Sequence, residues 1–128
     1  AYTIADIPGL IEGAAEGVGL GHQFLRHVRR TKTLLHLVSL GPDEDEDPIS
    51  RYLKIREELK KFDEELSKKR EVIALSKGDL VDEEELEVAL FLLREHVGDV
   101  PIFVFSSITG KGINKIRNHL WQIIRGDI

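Results

Sequence analysis

Residues 34–40 (Leu-Leu-His-Leu-Val-Ser-Leu) restrict the fold more than any other part of the chain. Nearly every side chain in this run is apolar, and a strand with that pattern needs cover on both faces, as strands of parallel sheets have. Shorter apolar runs lie at residues 2–5, 71–75 and 101–105, and helical patterns separate the four runs. The sequence therefore predicts an α/β fold with a mainly parallel sheet and flanking helices.

The helical patterns predict where helices begin and which side chains face the core. Asp47 is expected to cap a helix that starts at Pro48, and Asp82 with Glu85 forms a capping-box-like start for the next helix. Residues 22–32 form a shorter candidate helix with a basic side, whose charges either contact phosphate or face solvent. The side chains expected to point inward are Phe24, Leu25, Val28, Tyr52, Ile55, Leu59, Phe62, Leu66, Leu86, Leu90, Leu93, Val97, Ile113, Ile116, Leu120 and Ile123.

Three further features suit a structural explanation better than a binding role. His36 lies inside an apolar strand and is interpreted as a satisfied core or edge histidine, not a ligand. Trp121 is expected to pack near the end of the last helix. The five consecutive acids at residues 43–47 resemble a cation site, but neighbouring flexible carboxylates are usually solvated.

Composition excludes several classes of protein. The 128 residues fit one domain, and the net charge of −5 argues against a surface that coats nucleic acid. There are no cysteines, so neither disulfides nor thiolate metal sites are available, which is compatible with a reducing cytoplasm. No apolar run is long enough to span a membrane. Because the chain starts at Ala1 within a candidate strand, we interpret it as part of a longer protein.

Unusual polar stretches follow three of the four predicted strands. They consist of Asp6, Ile7, Pro8 and Gly9; Ser76, Lys77, Gly78 and Asp79; and Ser106, Ser107 and Ile108. In α/β folds the carboxyl ends of parallel strands share one edge, and ligands bind outside that edge. We therefore expect the three stretches to converge on one ligand.

The first stretch suits a magnesium–phosphate ligand. A carboxylate such as Asp6 at a strand end can hold a water on Mg²⁺, and the bare N–H of Gly9 can approach a phosphate oxygen. Taken alone, the pattern is equally compatible with a turn after a buried strand.

The other two stretches suit a guanine base. Asp79 can accept hydrogen bonds from a ring N–H and an exocyclic amine, a pair that guanine presents and adenine does not. Lys77 can lay its aliphatic stem along the base plane, and the N–H groups of Ser107 and Ile108 can donate to O6. The alternative is an ordinary turn before a helix, with Asp79 as its cap.

The order D-x-x-G, then (N/T)-K-x-D, then S-A-x resembles that of translation-factor-like GTPases. Residues 6–14, the run Glu-Gly-Val-Gly-Leu-Gly at 16–21 and Phe24-Leu-Arg-His27 are similar to the Obg/CgtA subfamily, and His36 fits it too. The resemblance implies that residues 1–128 form the C-terminal portion of an Obg-type G domain. It implies GTP and GDP as ligands, Mg²⁺ held by Asp6 through water, and residues 10–32 as switch II. It further implies a cytoplasmic GTPase of ribosome assembly, with rRNA and protein of the large subunit as partners.

The sequence departs from that family in informative ways. Ser76 stands where Asn is usual, which should weaken base binding, and Ser107 replaces Ala with little expected effect. Leu10 occupies the position of a water-orienting glutamine in many relatives, which predicts slow intrinsic hydrolysis. No G-x-x-x-x-G-K-(S/T) occurs in these residues, so the phosphate loop and switch I threonine are expected upstream and the chain alone is expected to be inactive.

The missing phosphate loop bears on the pairing of residues 1–21 and on the function of the chain. Without the strand that carries the phosphate loop, residues 1–21 are expected to be displaced or to enter non-native pairing with another chain. The alternative function is a non-catalytic G-like module that docks RNA or protein through the basic segment 22–32.

Overall fold

The computed structural model describes residues 30–42 and 46–128, and within them strands and helices alternate as predicted. The strands are β1 (Thr33–Ser39), β2 (Arg70–Ser76) and β3 (Ile102–Val104); the helices are α1 (Pro48–Phe62), α2 (Glu64–Ser67), α3 (Glu83–Val97) and α4 (Ile113–Arg125). β2 pairs in parallel with both other strands, so the described sheet has the order β1-β2-β3. The predicted α/β fold with a parallel sheet is confirmed.

β2 forms the centre of the described sheet, and its side chains from Glu71 to Leu75 are buried. Ile73 and Leu75 pack on the face covered by α1 and α3, while Val72 and Ala74 pack under α4. These four residues are at most 1% exposed. Complete burial of each larger side chain contributes about 1.5–3 kcal/mol, so the helices are held on both faces mainly by this strand.

The predicted helix starts are confirmed. The Asp47 carboxylate accepts hydrogen bonds from the backbone N–H of Ser50 at 2.9 Å and from its hydroxyl at 2.8 Å. The bond from the Ser50 N–H is the main reason that the pKa of Asp47 lies below its ordinary value. Asp82 likewise accepts from the N–H of Glu85 at 2.8 Å, at the start of α3. Both aspartates satisfy N–H groups that a helix start leaves unpaired.

The helix after Pro48 ends earlier than its apolar pattern predicts. Asp63 is extended (φ −161°, ψ 111°), and its side chain accepts from the N–H of Glu65 and so begins the short helix α2. Leu66 is fully buried as predicted, but it reaches the core from α2. Aspartate favours this break because its side chain competes for nearby backbone N–H groups.

The end of one further predicted helix needs correction. Within the candidate helix 22–32, Arg30 lies in a turn and Thr31 and Lys32 are not helical; Lys69 donates to the Thr31 carbonyl where the chain enters β1. The rest of that candidate helix lies outside the described residues. Trp121, predicted to pack near the end of the last helix, is 37% exposed and has the Arg125 guanidinium 5.8 Å from its ring centroid, which agrees with that prediction.

A buried polar network lies near the amino end of β2, far along the strand from its carboxyl end. Glu71 accepts a hydrogen bond from the Tyr52 hydroxyl at 2.7 Å and lies 3.3 Å from His36 Nδ1 and 3.5 Å from Arg56. The His36 ring stacks on Tyr52 with centroids 4.7 Å apart. The prediction that His36 is a satisfied histidine within the fold is therefore confirmed.

This network shifts the pKa of two of its members. Burial alone would raise the pKa of Glu71, but hydrogen bonds from His36 and Tyr52 and the charge of Arg56 outweigh it, so the pKa lies below the ordinary value of 4.5. Burial, reinforced by the Glu71 carboxylate, raises the pKa of Tyr52 far above its ordinary range. Glu71 is therefore ionised and Tyr52 neutral at pH 7.

We expect Glu71→Gln to lower the free energy of unfolding at pH 7 by about 2 kcal/mol, because charge-assisted hydrogen bonds are lost. A folded pKa below 4.5 stabilises the fold above pH 4.5, and this contribution is lost as the pH falls through the folded value. The difference between wild type and variant should therefore shrink on acidification, as measured by denaturant unfolding between pH 7 and 3. Glu57→Gln, at an exposed site on α1, is the matched control; an equal effect of both changes would contradict the role of the network.

Candidate functional site

The structure brings together two of the three predicted polar stretches. Ser76 is the last residue of β2, and Ser106 follows β3 closely, so both stretches lie at the carboxyl edge of the sheet. The N–H of Gly78 donates to the carbonyl of Phe105 at 3.0 Å, which ties the two loops to each other. Asp6, Ile7, Pro8 and Gly9 lie outside the described residues.

The first loop leaves β2 through an uncommon backbone conformation. Lys77 is left-handed (φ 60°, ψ 35°), a conformation that costs a non-glycine residue about 1–2 kcal/mol. A single 3-10 turn at Gly78–Leu80 follows, closed by the Leu80 N–H on the Lys77 carbonyl at 3.0 Å. Strain of this kind persists only where surrounding contacts impose it, and it is frequent at functional sites.

Ser76 anchors the start of this loop to β1. Its carbonyl accepts from the N–H of Leu40 at 3.0 Å, and its hydroxyl donates to the Val38 carbonyl at 3.4 Å. The hydroxyl bond is long and therefore weak. The side chain thus braces the loop against its neighbouring strand without reaching beyond it.

The second loop is closed around the buried side chain of Ser106. Ser106 is 3% exposed; its N–H donates to the Lys111 carbonyl at 3.0 Å, and its carbonyl accepts from Gly110 at 2.8 Å. Its hydroxyl accepts from the N–H of Thr109 at 3.2 Å. These bonds fix the loop while leaving the N–H groups of Ser107 and Ile108 without a partner among the described residues.

Two glycines allow the loops to approach the end of β3. A Cβ on Gly78 would lie 2.6 Å from the Val104 side chain, and one on Gly112 would lie 2.1 Å from the Val104 carbonyl oxygen. Gly112 also has a φ of +86°, in the region that side chains rarely adopt. The packing of both loops against one strand end therefore depends on the absence of side chains at these two positions.

Asp79 is exposed, and it makes no hydrogen bond or ion pair with any other residue that the structure describes. It lies inside the 3-10 turn, and Asp82 caps α3, so the alternative in which Asp79 is the helix cap is wrong. Among residues 30–42 and 46–128, one carboxylate and two N–H groups without a partner thus lie on neighbouring loops. That combination can accept from two donors of a planar ligand and donate to an acceptor beside them.

Other candidate sites in the described residues do not compete with this one. A groove of about 360 Å³ opens between the end of β1 and the starts of α1 and α3, but none of the predicted base-reading residues lines it. Residues 30–42 and 46–128 contain no group of three or more acidic, histidine or cysteine side chains that could hold a metal ion. Within the acidic run, Glu46 pairs with Lys54 and Asp47 caps α1. None of the described helices is long and apolar enough to cross a bilayer.

Sequence reasoning missed the residues that hold the loops in place. Gly112 carried a detectable signal, because a glycine directly before a helical pattern often marks a special backbone conformation. For the Glu71 network, the sequence shows only an acidic residue at the start of an apolar strand. The hydrogen bond from Gly78 to the Phe105 carbonyl has no signal in the local sequence, since Gly78 follows β2 and Phe105 follows β3.

Comparisons with known proteins agree with the fold and the motif order. The family described as 50S ribosome-binding GTPase matches residues 1–77. The chain is 42% identical to a GTPase Obg from Magnetococcus marinus over 99% of its length, 49% identical to one from Lactobacillus helveticus over 91%, and 47% identical to one from Thermosipho africanus over 97%.

The chain covers only 35%, 27% and 28%, respectively, of the lengths of these relatives. The parallel sheet, the two tied loops and the identity across nearly all of the chain lead to one conclusion. The chain belongs to the Obg family of GTPases.

Proposed function

We propose that the two tied loops recognise the guanine base of GTP and GDP. Asp79 accepts from the ring N–H and the exocyclic amine, and the N–H groups of Ser107 and Ile108 donate to O6. Lys77 lays its stem along the base plane. The proposal is supported most directly by these polar groups, which have no partner among the described residues and lie on loops joined by the Gly78–Phe105 hydrogen bond.

Together with Ile7, Pro8, Gly78 and Ser106, these residues complete the proposed nucleotide site, in which Asp6 and Gly9 bind the phosphate end. Gly9 donates its N–H to the γ-phosphate, and residues 10–32 change shape when that phosphate leaves. Asp6 holds Mg²⁺ through water, since a carboxylate oxygen suits this hard cation. Bound Mg²⁺ would neutralise charge on the phosphates during hydrolysis.

We propose that residues 1–128 are the C-terminal portion of an Obg-type G domain in a longer cytoplasmic GTPase. Support comes from the names of the relatives and from the share of their length that the chain covers. The description of the matching family supports a role on the large ribosomal subunit, with rRNA and ribosomal protein as partners. The 128 residues contain no G-x-x-x-x-G-K-(S/T), so the chain alone lacks a phosphate cradle and should not hydrolyse GTP.

Ser76→Asn is expected to strengthen GDP binding by the full-length protein. Within the part of the chain that the structure describes, the serine hydroxyl makes only the 3.4 Å bond to Val38, whereas an amide offers further donors and an acceptor to brace the base-binding loop. One additional buried hydrogen bond is worth about 1 kcal/mol, or roughly a fivefold lower dissociation constant. Isothermal titration with GDP measures the change, and Ser107→Ala, which keeps the backbone N–H, should leave the affinity unaltered. Weaker binding by Ser76→Asn would contradict this role.

The proposed function is tested by titrating the full-length protein with GDP and ADP in the presence of Mg²⁺. We expect GDP to bind and ADP to bind far more weakly or not at all. Absence of binding by either nucleotide would favour the docking module that uses the basic segment 22–32. Equal binding of both nucleotides would show a phosphate site that does not read the base.

A further inference from the structure

The outer surface of α3 carries large apolar side chains that the described fold leaves uncovered. Val88, Phe91 and Leu92 are 55%, 65% and 43% exposed, respectively. Their spacing of three and four residues places them on one side of the helix, which we call the α3 patch. The opposite side of α3, with Leu86, Leu90, Leu93 and Val97, packs into the core. The patch is therefore additional to the stripe that holds the helix on the sheet.

The charges around the α3 patch are nearly all negative. Exposed glutamates occupy positions 84, 85, 87 and 95. Helical spacing places Glu84 and Glu95 on the same side as Val88, one turn before it and two turns after it. The Arg94 guanidinium keeps its charge but is held at the end of the helix, where it donates to the carbonyls of Gly98 at 2.7 Å and of Val100. The α3 patch therefore lies between carboxylates.

This pattern of charge restricts the class of partner. Nucleic acid and anionic lipid surfaces would be repelled, and a second copy of the chain would bring carboxylates against carboxylates. A polypeptide segment with apolar side chains between lysines or arginines matches the apolar side chains of the α3 patch and the glutamates around it. An amphipathic helix laid along α3 would place its anchors at the same spacing of three and four residues.

We propose that the α3 patch is a docking surface for a basic amphipathic helix of a partner protein. Phe91 is its anchor, because it is the largest and most exposed of the three apolar side chains. Glu84 and Glu95 supply attraction and orientation. The proposal does not depend on nucleotide binding, since none of these residues lies on the base-reading loops.

The test uses the full-length protein and a synthetic 18-residue amphipathic helix of leucine and lysine. A leucine–glutamate peptide of equal length is the matched probe. We expect the lysine peptide to bind the protein in a titration and its affinity to fall as the salt concentration is raised. Binding should also slow hydrogen exchange of the protein's amides at residues 84–95. Phe91→Gln, which keeps an exposed helix former, should weaken binding about tenfold, the effect of losing one apolar anchor.

Matched charge changes distinguish binding at the α3 patch from general attraction between a positive peptide and a negative protein. Glu84→Gln with Glu95→Gln should weaken binding, while Glu57→Gln with Glu65→Gln removes the same charge from α1 and α2 and should not. Equal weakening by both pairs, binding of the glutamate peptide, or no effect of Phe91→Gln would overturn the proposal. So would self-association in sedimentation that Phe91→Gln abolishes, because the occupant would then be a second copy.

Discussion

Replacing Asp79 with asparagine should raise the dissociation constant of the full-length protein for GDP by about two to four orders of magnitude. The carboxylate is expected to accept two charge-assisted hydrogen bonds, each worth about 1.5–3 kcal/mol. The amide of asparagine offers one acceptor and places a donor opposite a donor of the base. Because Asp79 is exposed and makes no bond with another described residue, the change should leave the fold intact.

Isothermal titration with GDP, IDP and ADP measures the effect of this substitution. IDP lacks the exocyclic amine, so wild type should bind it more weakly than GDP by about one hydrogen bond. Asp79→Asn should bring the affinities for GDP and IDP closer together. Asp99→Asn, at another exposed position, is the control and should change neither affinity. Unchanged discrimination between GDP and IDP in Asp79→Asn would show that this carboxylate does not read the base.

Gly112→Ala should disrupt the carboxyl edge of the sheet and abolish measurable GDP binding. The new Cβ would lie 2.1 Å from the Val104 carbonyl oxygen and 3.1 Å from the Phe105 Cα, and both are backbone atoms that cannot rotate away. Overpacking of this kind costs about 1–3 kcal/mol, and a left-handed backbone adds about 1–2 kcal/mol for a residue with a side chain. We expect hydrogen exchange of the full-length protein to show faster opening of β3 and of residues 106–112.

Gly110→Ala separates the two causes of this loss. Gly110 also has a positive φ of +78°, but a Cβ there would meet no atom within 4 Å. Only the backbone penalty applies, so Gly110→Ala should accelerate exchange modestly and retain nucleotide binding. If both alanine variants behaved alike, the close approach of Gly112 to β3 would have no part in positioning the second loop.

Sequence patterns were sufficient for the α/β architecture of the described residues and for the convergence of two loops at the carboxyl edge of the sheet. The apolar run at residues 34–40 predicted a strand of a parallel sheet, and β1 pairs in parallel with β2 from Thr33 to Ser39. The predicted cover on both faces is wrong for the described residues, since Leu37 is 60% exposed while Leu34 and Val38 are buried. Asp47 and Asp82 predicted two helix starts because N-caps act through neighbouring backbone N–H groups. The convergence of residues 76–79 and 106–108 followed from strand order, since parallel strands deliver their carboxyl ends to one edge.

Other features depend on contacts between residues distant in sequence, which local patterns do not encode. Glu71 combines with side chains from β1 and α1, and nothing around it in the chain indicates a buried carboxylate with several donors. The apolar spacing of the helix continues in register to Leu66, so periodicity predicts one helix, whereas the structure breaks it at Asp63. The predictions for Asp6, Gly9 and most of segment 22–32 lie outside the described residues and stay predictions.

Hydrogen exchange of the full-length protein with and without GDP tests most directly whether the two loops clasp one guanine base. With GDP and Mg²⁺, amides at residues 76–79 and 106–108 should become protected together, including Ser107 and Ile108, which lack partners among the described residues. ADP at the same concentration should protect neither loop. Protection by GDP that spares either loop, or equal protection by ADP, would contradict the account.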